Sequence, residues 1–359
     1  LKRNAVLALV GLALAGAIGA AWVFRGELAT RLVERTASQV VSRNLIAELP
    51  DGLHAIFCGT GTPLPDRARA GPCLAVVAGD QIFVFDAGEG ASETLTLLGV
   101  NPGNIDTVFL THLHSDHFDG LAPLALQHWA NVSATEPLHL VGPAGVSRVA
   151  AGLNEAYTID AGYRTAHHGP EVMPPSGFGL RAEEFAVPEG EQAIVLRDAG
   201  GVRIMAFPVA HAPTDAVGYR IEYGGRSIVV SGDTARSESL AHNARGSDLL
   251  VHEAISTRLN GIMQNAANGA GRTNIGAIFH DILDYHTSPE DAGAVAQEAG
   301  VGALAITHML PQTPMPGLAH TFETDARKTY SGRIMVMRDG DVISLPSAGG
   351  MHRRNELPF

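Results

Sequence analysis

The chain has 359 residues, 45% of them hydrophobic, with 41 glycines and 20 prolines. This composition fits a globular α/β protein and excludes collagen-like or disordered chains. The formal net charge is −12, and residues 51–359 hold −15 of it, because the first fifty carry six Lys/Arg against three Glu. That balance argues against broad docking on a phosphate backbone, which takes clustered Lys and Arg.

Lys2 and Arg3 precede an uncharged run from Ala5 to Phe24. Twenty helical residues span about 30 Å, the thickness of a bilayer core. Residues 1–25 therefore read as a signal anchor or signal peptide, with small-x-small sites such as Ala15-Gly16-Ala17 open to a peptidase. The domain beyond is expected to be exported: periplasmic, or membrane-anchored facing the periplasm. Arg25, Arg31, Arg35 and Arg43 work against that orientation under the positive-inside rule. Residues 26–50 read as a connecting helix, with Leu28, Leu32, Val33 and Val40 at helical spacing.

From Leu53 short apolar strands alternate with helices. Strands are expected at 53–57, 74–78, 82–86, 106–110, 137–141, 203–207, 217–222, 227–231, 248–252, 303–307 and 333–338. Gly224-Gly225 between two of them makes a two-residue hairpin turn. Helices are expected at 91–98, 118–129, 144–156, 288–299 and 322–330. Ser288-Pro289-Glu290-Asp291 starts the fourth and Gly300 closes it. Cys58 and Cys73 form no Cys-x-x-Cys, so thiolate zinc sites are out. They are either a disulfide or two buried thiols.

Chemistry concentrates in Thr111-His-Leu-His-Ser-Asp-His-Phe-Asp-Gly120. His112 and His114 alternate on an extended segment, so both rings face one side. Asp116 and His117 follow where the chain turns into a helix, so one pair can face one metal and the next pair a second. Imidazole and carboxylate without thiolate suit zinc. Three further ligand types close strands: His211 in PVAH, Asp233 in SGDT and His308 in AITH. DTVFLTH and ALAITH echo each other, as do FVFDAG and VVSGDT, which suggests two similar halves whose strand ends meet.

These segments, with GTGTPLPDRARAGPCLAV, LLVHEA and HTSPEDAG, resemble the metallo-β-lactamase-fold hydrolases over about residues 53–345, and most of all their ribonuclease Z and arylsulfatase branch. The resemblance implies an α/β fold, a four-layer αββα sandwich behind an N-terminal hydrophobic helix. The catalytic domain would be residues 51–345, with 346–359 a C-terminal tail. It implies two zinc ions, the first on His112, His114 and His211, the second on Asp116, His117 and His308. Asp233 would bridge them, and a shared hydroxide would be the nucleophile. Asp116 is a ligand first and a proton acceptor second. His286 resembles the histidine that such enzymes aim at the scissile group. His252 and Glu253 resemble a His-Glu-Ala element and would orient His286 or a ligand. Asp86 and Thr111 would support the ligand loops.

Ribonuclease Z proper grips tRNA with a long arm after its third motif, whereas His211 to Asp233 leaves room only for a short hairpin. With the acidic charge and the leader, the expected substrate is a small sulfate or phosphate ester, with no nucleic acid partner. The membrane would be contacted through an uncleaved N-terminal helix, and a homodimer is left open. Tyr157, Tyr163, Phe178 and Trp129 read either as walls of an aryl pocket or as core. Residues 257–285, rich in Gly and Asn, read as a lid or a plain surface loop. A lactam or lactone hydrolase on the same fold is the alternative. A non-catalytic metal-binding envelope protein is the alternative of another class.

Overall fold

The computed structural model describes residues 2–312, 315 and 317–357, in two units that divide after Asn44. In the first unit, α1 (Lys2–Val23) and α2 (Arg25–Val41) follow one another with Phe24 between them.

The second unit lays its strands down in chain order, one sheet and then the other. The first sheet takes β1 (Gly52–Gly59), β2 (Cys73–Ala78), β3 (Gln81–Phe85), β4 (Thr107–Phe109), β5 (Leu138–Pro143) and β6 (Leu180–Phe185). The second takes β7 (Ile194–Ala199), β8 (Val202–Pro208), β9 (Val217–Tyr223), β10 (Arg226–Val230), β11 (Leu249–Ile255), β12 (Ala303–Leu310) and β13 (Arg333–Val336). The chain then returns to the first sheet as β14 (Asp341–Pro346) and β15 (His352–Asn355), beside β1. The stretch read as a tail thus supplies an edge strand, with Arg353 bonded to buried Asp341.

Both faces of each sheet are covered, and β1 and β2 show why they read as unbroken apolar runs. Leu53, Ala55, Phe57, Leu74 and Val76 face the other sheet, packing with Ile204, Tyr219 and Val251. The alternate residues Ile56, Cys58, Cys73 and Ala75 face outward, under α3 (Ala91–Leu98), α4 (Leu121–Val132) and α5 (Val146–His168). Cys58 and Cys73 are joined there as a disulfide. On the far side Leu250, Val295, Leu304 and Phe322 form a third layer of core. It lies under α6 (Glu238–Asn243), α9 (Pro289–Ala299) and α10 (Ala319–Ala326). The order helix, sheet, sheet, helix is the expected αββα sandwich.

Several further regions depart from expectation: β6, β7 and β14 arise where no strand was expected, and α5 runs on to His168. Residues 257–285 are not a loop but a helical hairpin, α7 (Thr257–Gly269) and α8 (Thr273–Asp281). Ser256 caps α7, and buried Asn260 bonds the Phe279 carbonyl to tie the two helices. The aryl-pocket reading fails for two of its four residues. Trp129 is core, its indole N–H donating to the Pro174 carbonyl at 2.7 Å, and Tyr163 is 72% exposed. Tyr157 and Phe178 line a small hollow between α4, α5 and β6 that holds no metal-capable histidine.

Candidate metal centre

Strand ends from both sheets converge on one point, as layered α/β folds favour. His112 and His114 follow β4, and Asp116 and His117 sit in the single turn Ser115–His117. His211 follows β8 and Asp233 follows β10. His308 stands where β12 bulges against β11, with φ at 43°. Such a conformation is costly outside glycine and marks a position that its surroundings over-determine.

His114 Nδ1 lies 3.0 Å from His112 Nε2 and 3.2 Å from His211 Nε2. Asp116 Oδ2 lies 3.6 Å from His117 Nε2 and 3.4 Å from His308 Nε2. Between the two groups stands Asp233, whose Oδ2 is 3.9 Å from His112 Nε2 and 3.3 Å from His117 Nε2. Its Oδ1 is 3.6 Å from His308 Nδ1.

These spacings suit a cation. Two ligands held at about 2.0–2.1 Å from a tetrahedral ion stand roughly 3.3–3.4 Å apart. Three imidazole nitrogens, two of them within 3.0–3.2 Å of His114 Nδ1, form the convergent donor set that a cation takes. His117 Nε2 and His308 Nδ1 are buried without a hydrogen-bond partner. Burial, then His117, holds His112 well below the usual imidazole range. Burial also lowers His114 and His211. All three thus offer the neutral ring that ligation requires. Burial alone would raise Asp233, but His308 and His117 outweigh it and hold the carboxylate well below its ordinary value. The seven residues form two groups able to hold a divalent ion, His112, His114, His211 and Asp233 being one, Asp116, His117 and His308 the other.

Three of the rings, His112, His117 and His211, are aimed by a partner on the other nitrogen. His117 Nδ1 donates to Asp86 Oδ2 at 2.9 Å, and His211 Nδ1 to the Tyr285 carbonyl at 2.8 Å. Asp86 also accepts from the Thr111 N–H and hydroxyl, and Thr111 Oγ1 lies 3.0 Å from His112 Nδ1. Asp86 and Thr111 therefore support the ligand turn as expected. Partners of this kind fix the tautomer and orientation of a ligating ring. Replacing Asp86 with alanine is expected to weaken metal binding roughly 10–100-fold. A chelator competition titration checks this, and unchanged affinity would show that His117 needs no such support.

Glu253 is buried on the face of β11 that looks toward the site. Its Oε1 accepts from His286 Nδ1 at 3.0 Å, Thr287 N at 3.1 Å and Thr234 N at 3.2 Å. Burial alone would lower His286, but Glu253 outweighs it and lifts the ring to about 9. His286 also joins Asp233 and His308 in a third cluster. His252 corrects the expectation. Strand side chains alternate, so it points to the opposite face, with Leu250 and Ala254. Its Nδ1 donates to the Glu253 carbonyl and it touches neither His286 nor a ligand.

Residues not anticipated complete the site. Tyr285 packs edge-on against His211, ring centres 5.1 Å apart. Gly88 and Gly120 let the Asp86 loop lie on the ligand turn: a Cβ on Gly120 would meet the Gly88 carbonyl at 2.0 Å. The glycines in DAGEG and DHFDG were the available signal. Beside Asp116 opens a cleft of about 730 Å³, lined by Leu64, Arg67, Glu89 and Asp119 among others.

Residues 82–309 match the family model described as a β-lactamase superfamily domain. The ribonuclease Z of Mycobacterium bovis (strain BCG / Pasteur 1173P2) is 36% identical over 291 residues, covering 80% of this chain and 96% of that protein. The chain belongs to the metallo-β-lactamase superfamily, in its ribonuclease Z branch. A second ribonuclease Z, from Mycobacterium avium (strain 104), is 34% identical over 80% of this chain and 96% of its own length. Two solved structures share the fold. Human tRNase Z, short form, has a TM-score of 0.59 at 20% identity, over 82% of this chain and 99% of that one. The metallo-β-lactamase fold protein YhfI from Bacillus subtilis has a TM-score of 0.57 at 19% identity, over 81% and 99%.

This superfamily member is a metallo-hydrolase. The expectation of a small ester substrate with no nucleic acid partner is overturned by the ribonuclease Z relatives, and its arylsulfatase side finds no support in them. It rested on the short His211–Asp233 connection, the leader and the net charge, and the last averages over a whole surface. A metal centre brings its own positive charge to a phosphate, so the average does not govern the site.

Proposed function

We propose that this metallo-β-lactamase-superfamily chain is a zinc-dependent phosphodiesterase that cleaves RNA and holds two zinc ions. The observation that carries the reading is the shared carboxylate, Asp233 Oδ2 placed between two separate ligand groups. The two ribonuclease Z relatives point to the substrate. His112, His114 and His211 would hold one ion, Asp116, His117 and His308 the other, with Asp233 common to both. Bound zinc supplies an acidified water and neutralises phosphoryl oxygens.

The chain's own residues do the rest. Glu253 holds His286 by Nδ1, so Nε2 is free to donate a proton to a phosphoryl or leaving oxygen. Buried Glu253 acts only through His286 and the Thr234 loop. Asp116 would serve first as a ligand, through Oδ2. Exposed Arg67 stands in the cleft that opens beside Asp116, where it would meet an RNA phosphate. The short His211–Asp233 connection carries no arm, so this rim takes on part of the grip.

The test is cleavage of a tRNA precursor bearing a 3′ extension, beside bis-nitrophenyl phosphate. The zinc-loaded chain is expected to cleave the RNA and to lose that activity to a chelator. Hydrolysis of the nitrophenyl diester with intact RNA would overturn the substrate. Arg67→Ala is expected to raise KM for RNA several-fold, leave kcat nearly unchanged and reduce the salt slope of binding by about 1.

We also infer that α1 anchors the chain in a membrane. Arg3–Val23 is long and apolar enough to cross one, with mean hydropathy 2.3. The Cys58–Cys73 disulfide favours the oxidising side.

A further inference from the structure

The second helix of the N-terminal unit has a use that a spacer would not need. We propose that α2 lies in the plane of a membrane surface containing anionic lipid, with its apolar face in the headgroup layer. This rests on the reading of α1 as a membrane span.

Along α2, Leu28, Ala29, Leu32, Val33 and Thr36 fall within one arc of the helix, given 3.6 residues per turn. Glu27, Arg31, Glu34 and Ser38 fall on the opposite arc. The apolar arc has no cover within this unit: Leu28 is 52% exposed, Leu32 and Val33 62% each. A helix with one wide apolar arc and one charged arc is the form that settles between water and lipid.

Three observations select a bilayer as occupant. First, only Phe24 separates α1 from α2, so α2 starts where the span ends. Second, that junction is built for an interface. Arg25 stacks over Trp22 at 4.4 Å and donates to its carbonyl at 2.7 Å, beside exposed Phe24. Aromatic rings and arginine are the side chains that populate this depth. Third, residues 25–43 carry four Arg against two Glu, while residues 51–359 hold −15. A net-cationic stretch thus sits next to the span, where attraction to anionic headgroups falls off within a Debye length. Pairing with a second copy fits less well. The only heptad register that joins Leu28 to Leu32 continues with Arg35 and Gln39, which breaks a coiled-coil seam.

The test uses the full chain in phosphatidylcholine vesicles with and without phosphatidylglycerol. An environment-sensitive fluorophore is placed, one at a time, at Leu12→Cys, Leu32→Cys and Glu34→Cys. With phosphatidylglycerol, position 32 is expected to show blue-shifted emission quenched by shallow spin-labelled lipid, and position 34 to report water. Arg31→Gln with Arg35→Gln is expected to reduce quenching at 32, each arginine contributing up to about fivefold in partitioning. Quenching at 12 with water at both 32 and 34 overturns the in-plane helix and leaves the span intact. Absence of lipid quenching at 12 overturns the span itself. Shielding of 32 from water without lipid quenching identifies a helix partner and also overturns the proposal.

Discussion

Asp233→Ala is expected to lose bound metal and RNA cleavage together. Asp233 is the residue within reach of both ligand groups, its Oδ2 3.9 Å from His112 Nε2 and 3.3 Å from His117 Nε2. Without it, each group keeps three candidate ligands but the carboxylate charge offered to cations is halved, since Asp116 is the only other carboxylate among the seven. Activity should fall more than about 100-fold, because the metal supplies both nucleophile activation and charge neutralisation. Elemental analysis and turnover are read on the same preparation, with circular dichroism to confirm folding. Asp233→Asn, which keeps the shape, should show the same loss. Full activity in either variant would discard the shared-ligand role.

His286→Ala separates chemistry from metal binding. His286 is held by Glu253 at 3.0 Å and lies against the His308 ring at 5.9 Å. It is not needed by either three-ligand group, so metal content should stay at the wild-type level. A well-placed proton donor contributes about 10²–10⁴-fold, so kcat should fall by that order with KM little changed. Glu253→Gln should give a smaller loss, since it leaves His286 in place but weakens its orientation. An unchanged rate in His286→Ala would make this ring a bystander.

What the sequence made legible was what is local. His112, His114, Asp116 and His117 sit within one turn, so their convergence follows from strand and turn geometry alone. Most strands of the central layers were readable because both faces are buried and the runs are largely apolar, but β14, buried along its whole length, escaped that reading. The β6 strand was not readable either, because Leu180-Arg-Ala-Glu-Glu-Phe185 shows only one partly buried face. The α7–α8 hairpin hid behind its glycines and asparagines. Its tie is polar, Asn260 to the Phe279 carbonyl with Ser256 as the cap, which an apolar pattern does not announce. His252 and Glu253 show a different limit. Adjacent strand residues face opposite ways, and the choice between them needs the position of the second sheet. His286 and an orienting partner in His252-Glu253 could be placed by resemblance, but that Glu253 makes the tie, across 33 residues, appears only in the fold.

The proposed function requires a metal pair that acts on RNA phosphodiesters. Its most direct measurement is a zinc titration of the chelator-stripped protein, followed by cleavage of the 3′-extended tRNA precursor. Activity is predicted to be absent at the start and to rise to a plateau at about two zinc per chain. Cleavage that persists after complete metal removal, or none at any zinc level in a folded protein, would contradict it.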